Sequence, residues 1–422
     1  MKNSILFLLL FTIIFTSCNN EVKTIESAGG IRIKLEVNNI DLLKGMCIIP
    51  EDSLFQMCLQ KTSTRKYNSI EEFLESFNKA MQEINPSIKL ASYFATFEMK
   101  DKIYLHSTND KVLAVLKSEL QKKLDETIIN ITKRLRKFSE QSANIKVLEY
   151  NLILVEVPGL FEKQRICNLL QSSGNLGFWE TYENSEVYQY LDAANKKISE
   201  LGLSNEGYNL DTVKKELSLL DEVNSNKDSV QEKLSKENPL FSILYPNVDS
   251  ERKLSKGSVV GLSDSKDTAQ VNKYLALRQV KLLFPYSLRF LWTLKPLKGT
   301  TVFQLIAIRV TSRNGLAPLD GSVITTASYS SNSEVSMSMN TEGARIWSRF
   351  TRDNVGKQIA IVIDNRVYSF PVVNQEIQGG NSSISGDFTI EEAEDMVNIL
   401  NAGSCPVKLN VVAVDIIEPI KK

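Results

Sequence analysis

Between Val335 and Gly403 the chain carries start and stop signals at such close spacing that few folds remain open to it. Val335, Met337 and Met339 alternate with serines, the period-two pattern of a half-buried strand. Asn340 suits a helix N-cap, because its side-chain oxygen can accept from an orphan N–H one turn in. Ala344, Trp347 and Thr351 share one face of the helix that follows, with Ile346 and Phe350 beside them, and Gly356 lies just past its end. Gln358–Ile363 and Arg366–Phe370 are apolar runs separated by Asp364-Asn365, two residues that tolerate positive φ, so a tight hairpin is predicted. Thr389 and Glu392 form a capping box. Ile390, Ala393, Met396, Val397 and Leu400 then fall on one helical face, which Gly403 ends. The order β-α-β-β-β-α describes a compact α+β unit.

The rest of the chain supplies a second unit. Gly29-Gly30 precedes Ile31–Val37, a cleanly alternating strand. Leu113, Leu116, Leu120, Leu124, Ile128, Ile131, Leu135 and Phe138 step by threes and fours along one amphipathic helix of about 25 residues. Lys146–Tyr150 and Leu152–Val157 read as strands, Glu162–Gln171 as a helix and Leu176–Tyr182 as a further strand. With Val407–Val414 near the end, these make a ferredoxin-like β-α-β-β-α-β set. Between them, Ile70, Phe73, Leu74, Phe77, Met81 and Ile84 mark a helix before Pro86, and Leu90–Leu105 holds strand-like runs. Asn195–Lys236 is rich in Lys, Glu, Ser and Asn, with the composition of a solvated helix or linker.

The N-terminus points to export. Lys2 precedes an apolar run, Ile5–Phe15, interrupted only by Thr12. As a helix it would cover roughly 16 Å of a ~30 Å hydrocarbon core, which suits a signal-peptide h-region better than a span. Phe15-Thr16-Ser17-Cys18 then resembles a bacterial lipobox, with Phe15 where an aliphatic residue is usual. That resemblance makes Cys18 the lipidated residue and the membrane a partner through its lipid.

Several chemistries are excluded or disfavoured. Lys plus Arg and Asp plus Glu number 50 each, so there is no basic surplus for nucleic acid. The chain has no P-loop, G-x-G-x-x-G, H-E-x-x-H or C-x-x-C motif, and Gly257-Ser-Val-Val-Gly261 lacks the lysine a P-loop needs. His106 is the only histidine, which leaves little for a histidine triad or a multi-histidine metal site. No catalytic residue, metal or cofactor is expected. Cys47 and Cys58 are candidates for a disulfide in an oxidising compartment, while Cys167 and Cys405 suit burial. Trp179 and Trp347 read as core aromatics.

The run EVSMSMNTEGARIWSRFTRDNVGKQIAIVIDNRVYSFPVVNQEIQGGNSSISGDFTIEEAEDMVNIL resembles the head subdomain of the first periplasmic domain of SecD and fused SecDF proteins. TIINITKRLRKF, NLILVEVPG and LLQSSGNLGFWETYENSEV resemble the base of the same domain. The family's RIDKFGV stands here as Arg134-Leu135-Arg136-Lys137-Phe138-Ser139, with Arg136 and Ser139 as departures. The apolar run and lipobox give a lipoprotein signal peptide over 1–18, and the SecD resemblance implies a ferredoxin-like base over 29–185, with a helical insertion at 41–112 packed outside the family core. It further implies a subtype-specific linker and insertion over 186–300, the head over 301–403, inserted in the base on two hinge strands, and a returning base strand over 404–419. Taken together with the lipobox, it describes a lipid-anchored, periplasm-facing module without the family's proton-passing membrane helices. Such a module would bind unfolded or precursor polypeptides and assist export, or else act as an adapter for a Sec translocase subunit. Candidate polypeptide contacts are Tyr368, Phe370, Val372 and Val373.

Overall fold

The computed structural model describes residues 25–136, 143–149, 151–159, 162–203, 236–312 and 315–419. Cys18 and most of Asn195–Lys236 lie outside them. After a helical turn at Ile25–Ala28, strand β1 (Gly30–Val37) leads into helices α1 (Asn39–Gly45), α2 (Ser53–Ser63), α3 (Ile70–Ile84) and α4 (Asn109–Leu135). Strands β2 (Asn144–Glu149) and β3 (Leu152–Pro158) and helix α5 (Lys163–Gln171) follow. The middle of the chain holds β4 (Leu176–Thr181), α6 (Asn184–Glu200), β5 (Val259–Asp264), α7 (Thr268–Ala276), β6 (Leu288–Trp292), β7 (Val302–Arg309) and β8 (Leu319–Asp320). The last third holds β9 (Ile324–Tyr329), β10 (Val335–Met339), α8 (Thr341–Asp353), β11 (Ile359–Ile363), β12 (Arg366–Ser369), β13 (Asn381–Ile384), α9 (Ile390–Ala402) and β14 (Leu409–Ile417).

The base is a four-stranded sheet of order β14-β1-β3-β2, antiparallel throughout. With α4 and α5 as its two crossovers this is the ferredoxin-like arrangement, whose last strand arrives only after the whole head has been inserted. Ile31, Ile33, Leu35 and Val37 of β1 face the helices and are buried. On the opposite face Arg32 reaches Glu156 of β3 at 2.7 Å. The double glycine has a steric reason: a Cβ on Gly30, at φ +154°, would lie 2.3 Å from the Val157 carbonyl oxygen.

The insertion does not sit outside this core. Phe55, Phe73, Phe77 and Phe94 belong to one buried cluster with Ile33, Leu35, Ile153 and Val155 of the sheet. A helix pair with an apolar stripe must bury it somewhere, and here α2 and α3 pack on each other and α3 on α4, within the one buried cluster that also holds the sheet residues. Leu90–Leu105 is helical turns rather than strand, with Ala91–Phe94 as α-helix and Phe97–Met99 as 3₁₀. Asn109 fixes it, accepting from the Leu90 N–H at 2.9 Å and donating to the Ile88 carbonyl at 3.1 Å.

Cys47 and Cys58 are free thiols, each packed into that core as a small hydrophobe. Burial pushes the Cys47 thiol up to about 11 and raises that of Cys58. Both should stay silent to a thiol reagent in the native protein and react only as the base unfolds. Stoichiometric labelling without denaturant would contradict this packing.

Leu176–Tyr182, expected beside the base strands, lies elsewhere. Its strand β4 pairs with β11 on one side and with β7 and β8 on the other, in a large sheet of order β12-β11-β4-β7-β5 ending on Tyr245–Pro246. β6 pairs with β7, and Thr293 bridges to Val367 of β12, so these strands curl back on themselves. The stretch expected as linker and insertion is therefore partly integral. Leu240, Ile243, Leu244, Val260, Val271 and Trp292 form a separate core with Val187 and Leu191 of α6. The head strands are shared out as well. β10 lies between β9 and β13 in a three-stranded sheet, while β11 and β12 belong to the large one. Trp347 of α8 joins the two layers, its ring 4.9 Å from that of Phe178.

Candidate functional site

Two crossings connect base to head, at 172–175 leaving α5 and at 403–408 leaving α9. They run side by side, with the Cys405 N–H donating to the Ser173 carbonyl at 2.6 Å. Arg134, at the end of α4, is buried between them with 1% exposure. Its guanidinium donates to the carbonyls of Leu169 at 3.1 Å, Ser173 at 3.2 Å and Gly403 at 3.3 Å, and also to that of Ser172. Leu169 and Ser172 close α5, and Gly403 closes α9. Each helix end presents carbonyls that lack intrahelical partners and carries partial negative charge. One cation thus neutralises two helix C-termini, one from the base and one from the head. Burial pulls its pKa down, with Cys405 and Asp364 opposing, and a guanidinium has enough reserve to stay charged. Gly174, at φ +70°, leaves the room: a Cβ there would meet both Arg134 Nη2 and Ile399 Cγ2 at 2.8 Å.

The tip of the head hairpin sits on the same crossing. Asp364 and Asn365 have φ of 51° and 63°, the left-handed pair a type I′ turn needs. The Asp364 carboxylate accepts from Ser172 Oγ at 2.6 Å, Gly174 N at 3.2 Å and Asn175 N at 3.1 Å. Farther along, Arg165 of α5 holds Asp395 of α9 in a bidentate contact at 2.8–3.0 Å and Glu394 at 2.8 Å. Side-chain hydrogen bonding to Asp395 raises the Arg165 pKa further.

These contacts frame a cleft of about 550 Å³ at the junction. Leu176, Trp179, Ala317 and Val362 give it an apolar floor. Arg289 of β6 and Lys408, just before β14, reach it from opposite subdomains. The Arg289 guanidinium lies over the Trp179 ring, 5.6 Å from its centroid.

The residues singled out as polypeptide contacts are spread over different surroundings. Val373 is buried at 7% exposure in the head core, whereas Val372 is 51% exposed. Tyr368 packs against the head core and Phe370 against the cluster around Trp179, both half-buried. Burial pushes the Tyr368 phenol up to about 12. Trp179 and Trp347 are core aromatics, as expected. His106 stacks on Tyr104. Arg134 was missed as a site residue. The signal was there: it stands three residues after Ile131 on the buried stripe of α4, where a lone arginine needs a partner inside.

Base, inserted head and the clamped crossing between them define a two-part α+β domain. Among the described residues no helix is long and apolar enough to cross a membrane. Residues 310–407 match the family "SecDF, P1 head subdomain". The protein translocase subunit SecD of Rhodothermus marinus is 30% identical over 399 residues, which cover 91% of this chain and 60% of that protein. SecD of Rickettsia bellii is 45% identical over 100 residues, 23% of this chain and 20% of that protein. The chain thus spans at most about 60% of the length of these relatives. A crystal structure of SecDF in a super-membrane-facing form superposes on 94% of this chain and 32% of its own, with a TM-score of 0.38 and 18% identity. The chain is thus similar to SecD over 91% of its length, and residues 310–407 carry the pattern of the SecDF P1 head subdomain.

Proposed function

We propose that this domain binds unfolded or translocating polypeptide at the outer face of a membrane and assists protein export. A lipid on Cys18 would hold it there, and proton-driven work would fall to other proteins. The observation that carries this reading is the head itself. Residues 310–407 keep the family pattern, and the head stays mounted on a ferredoxin-like base across a defined junction with an open cleft. The exposed Val372 flanks the half-buried Phe370 at the end of the head hairpin, and is a natural contact for an apolar stretch of client.

The test is in-cell crosslinking from a photoreactive residue at Val372, followed by mass spectrometry of the adducts. A spread of secreted precursors is the expected result. A single stoichiometric adduct with a translocase subunit would replace client binding by an adapter role in trans. No adduct, in a protein shown to be folded and membrane-bound, would remove Val372 and its neighbours from the binding surface.

A further inference from the structure

We infer that the junction cleft selects carboxylate-bearing segments of an extended polypeptide, with Arg289 and Lys408 as its specificity-determining residues. This rests on the polypeptide-binding reading above and adds the chemistry that the segment must have.

The cleft lies in the range of ligand-sized cavities, ~300–1,000 Å³. Its four charged groups do not face the same way. Asp364 spends its oxygens on Ser172, Gly174 and Asn175. Asp320 accepts through Oδ1 from both the N–H and the hydroxyl of Ser322, at 2.8 and 2.5 Å, which leaves Oδ2 as the one carboxylate oxygen open to the cleft. The cations are different. Arg289 and Lys408 are both exposed, and neither takes part in an ion pair among the described residues. The charged hydrogen-bonding capacity left open to the cleft is therefore mainly donor capacity, two cations against one oxygen of Asp320. A ligand that fits it must bring acceptors, and a carboxylate is the acceptor in a polypeptide that matches a guanidinium fork.

Arg289 is also prepared for that role. Stacking on Trp179 limits the directions its guanidinium can take, so less side-chain entropy is lost when it binds. Gly315 lies beside it at φ +70°, and a Cβ there would come within 3.4 Å of Arg289 Nη2. Beneath the cations the floor of Leu176, Trp179 and Val362 is apolar. Leu316 stands at the edge, 60% exposed. An acidic residue flanked by apolar ones meets both requirements. Because Lys408 belongs to the returning base strand segment and Arg289 to the head side, such a segment would touch both parts at once.

The experiment compares short unstructured peptides by fluorescence anisotropy: an acidic–apolar sequence, its Asn/Gln isostere and a lysine version. Each is titrated with the whole protein and with an Arg289→Glu, Lys408→Glu double variant whose fold is verified by circular dichroism. The expected result is a preference for the acidic peptide, weakened at least about tenfold by the double reversal, with the lysine peptide gaining in return. If the reversal perturbs folding, Arg289→Gln with Lys408→Gln should still abolish the preference. Equal binding of acidic and isosteric peptides, unchanged in the variants, would overturn the inference and leave polypeptide binding standing. No binding of any peptide would overturn both. Cation-dependent binding to anionic phospholipid vesicles, without any peptide preference, would assign the two residues to a lipid surface instead.

Discussion

Arg134→Met is expected to cost about 3 kcal/mol of stability and to loosen the head on the base. Methionine refills most of the volume, so the loss comes from carbonyl groups rather than from a cavity. The carbonyls of Leu169, Ser172, Ser173 and Gly403 lose a buried donor together. A buried acceptor without a partner costs about 1–3 kcal/mol, and removing a desolvated cation returns part of that. Arg134→Lys should recover about half, since an ammonium keeps the charge but not the planar fork. Thermal and denaturant unfolding would give the stability. Spin labels on α5 and α9 would give the distance distribution between base and head, which should broaden in Arg134→Met. A methionine variant as stable and as narrow as the native protein would show that the clamp is incidental.

Phe77→Ala is expected to cost about 4 kcal/mol, within the usual range for removing a buried ring. Phe77 has no exposed surface and meets the rings of Phe55 at 5.7 Å and Phe94 at 6.3 Å. The same cluster includes β1 and β3, so the damage should not stay within the helices. Hydrogen exchange should show the amides of β1 and β3 losing protection in step with those of α3. Intact strand protection beside exchanging helices would mean that the insertion is a satellite after all. A deletion of residues 41–112 should fail for the same reason, because it would remove part of the buried cluster that includes Ile33 and Leu35.

What could be read beforehand was whatever short-range chemistry determines. Thr389 and Glu392 form the capping box in both directions, and Asn340 caps α8 through the Gly343 N–H at 2.8 Å. Asp364-Asn365 makes the turn that its tolerance of positive φ suggested. Partners at long range were another matter. The alternation in Leu176–Thr181 marks a strand but says nothing about its neighbours, and β4 lies with β11 rather than with β1. In Leu90–Leu105 an apolar run looked strand-like because its helical turns are too short to show a period, and the Asn109 side chain that anchors their start has no periodic signature. The cleft was invisible because its key residues come from five separate stretches, at Leu176 and Trp179, Arg289, Ala317, Val362 and Lys408. Trp179 was read correctly as a core aromatic, yet only the fold brings Arg289 over its ring.

The base strand β14 pairs with β1 along its whole length, with Gly30 opposite Ile417. During synthesis the base cannot complete its sheet until the whole head has emerged. Until then β1 has one open edge, and the head, whose strands are consecutive or nearly so apart from β4, can form first. Pairing β1 with β14 closes the largest loop among the described strands, so it should be the slow step of folding. A chain whose own edge waits longest for its partner would depend on something to shield that edge in transit. The strand that does the job is made only after the whole head, so the shielding has to come from another part of the chain or from outside.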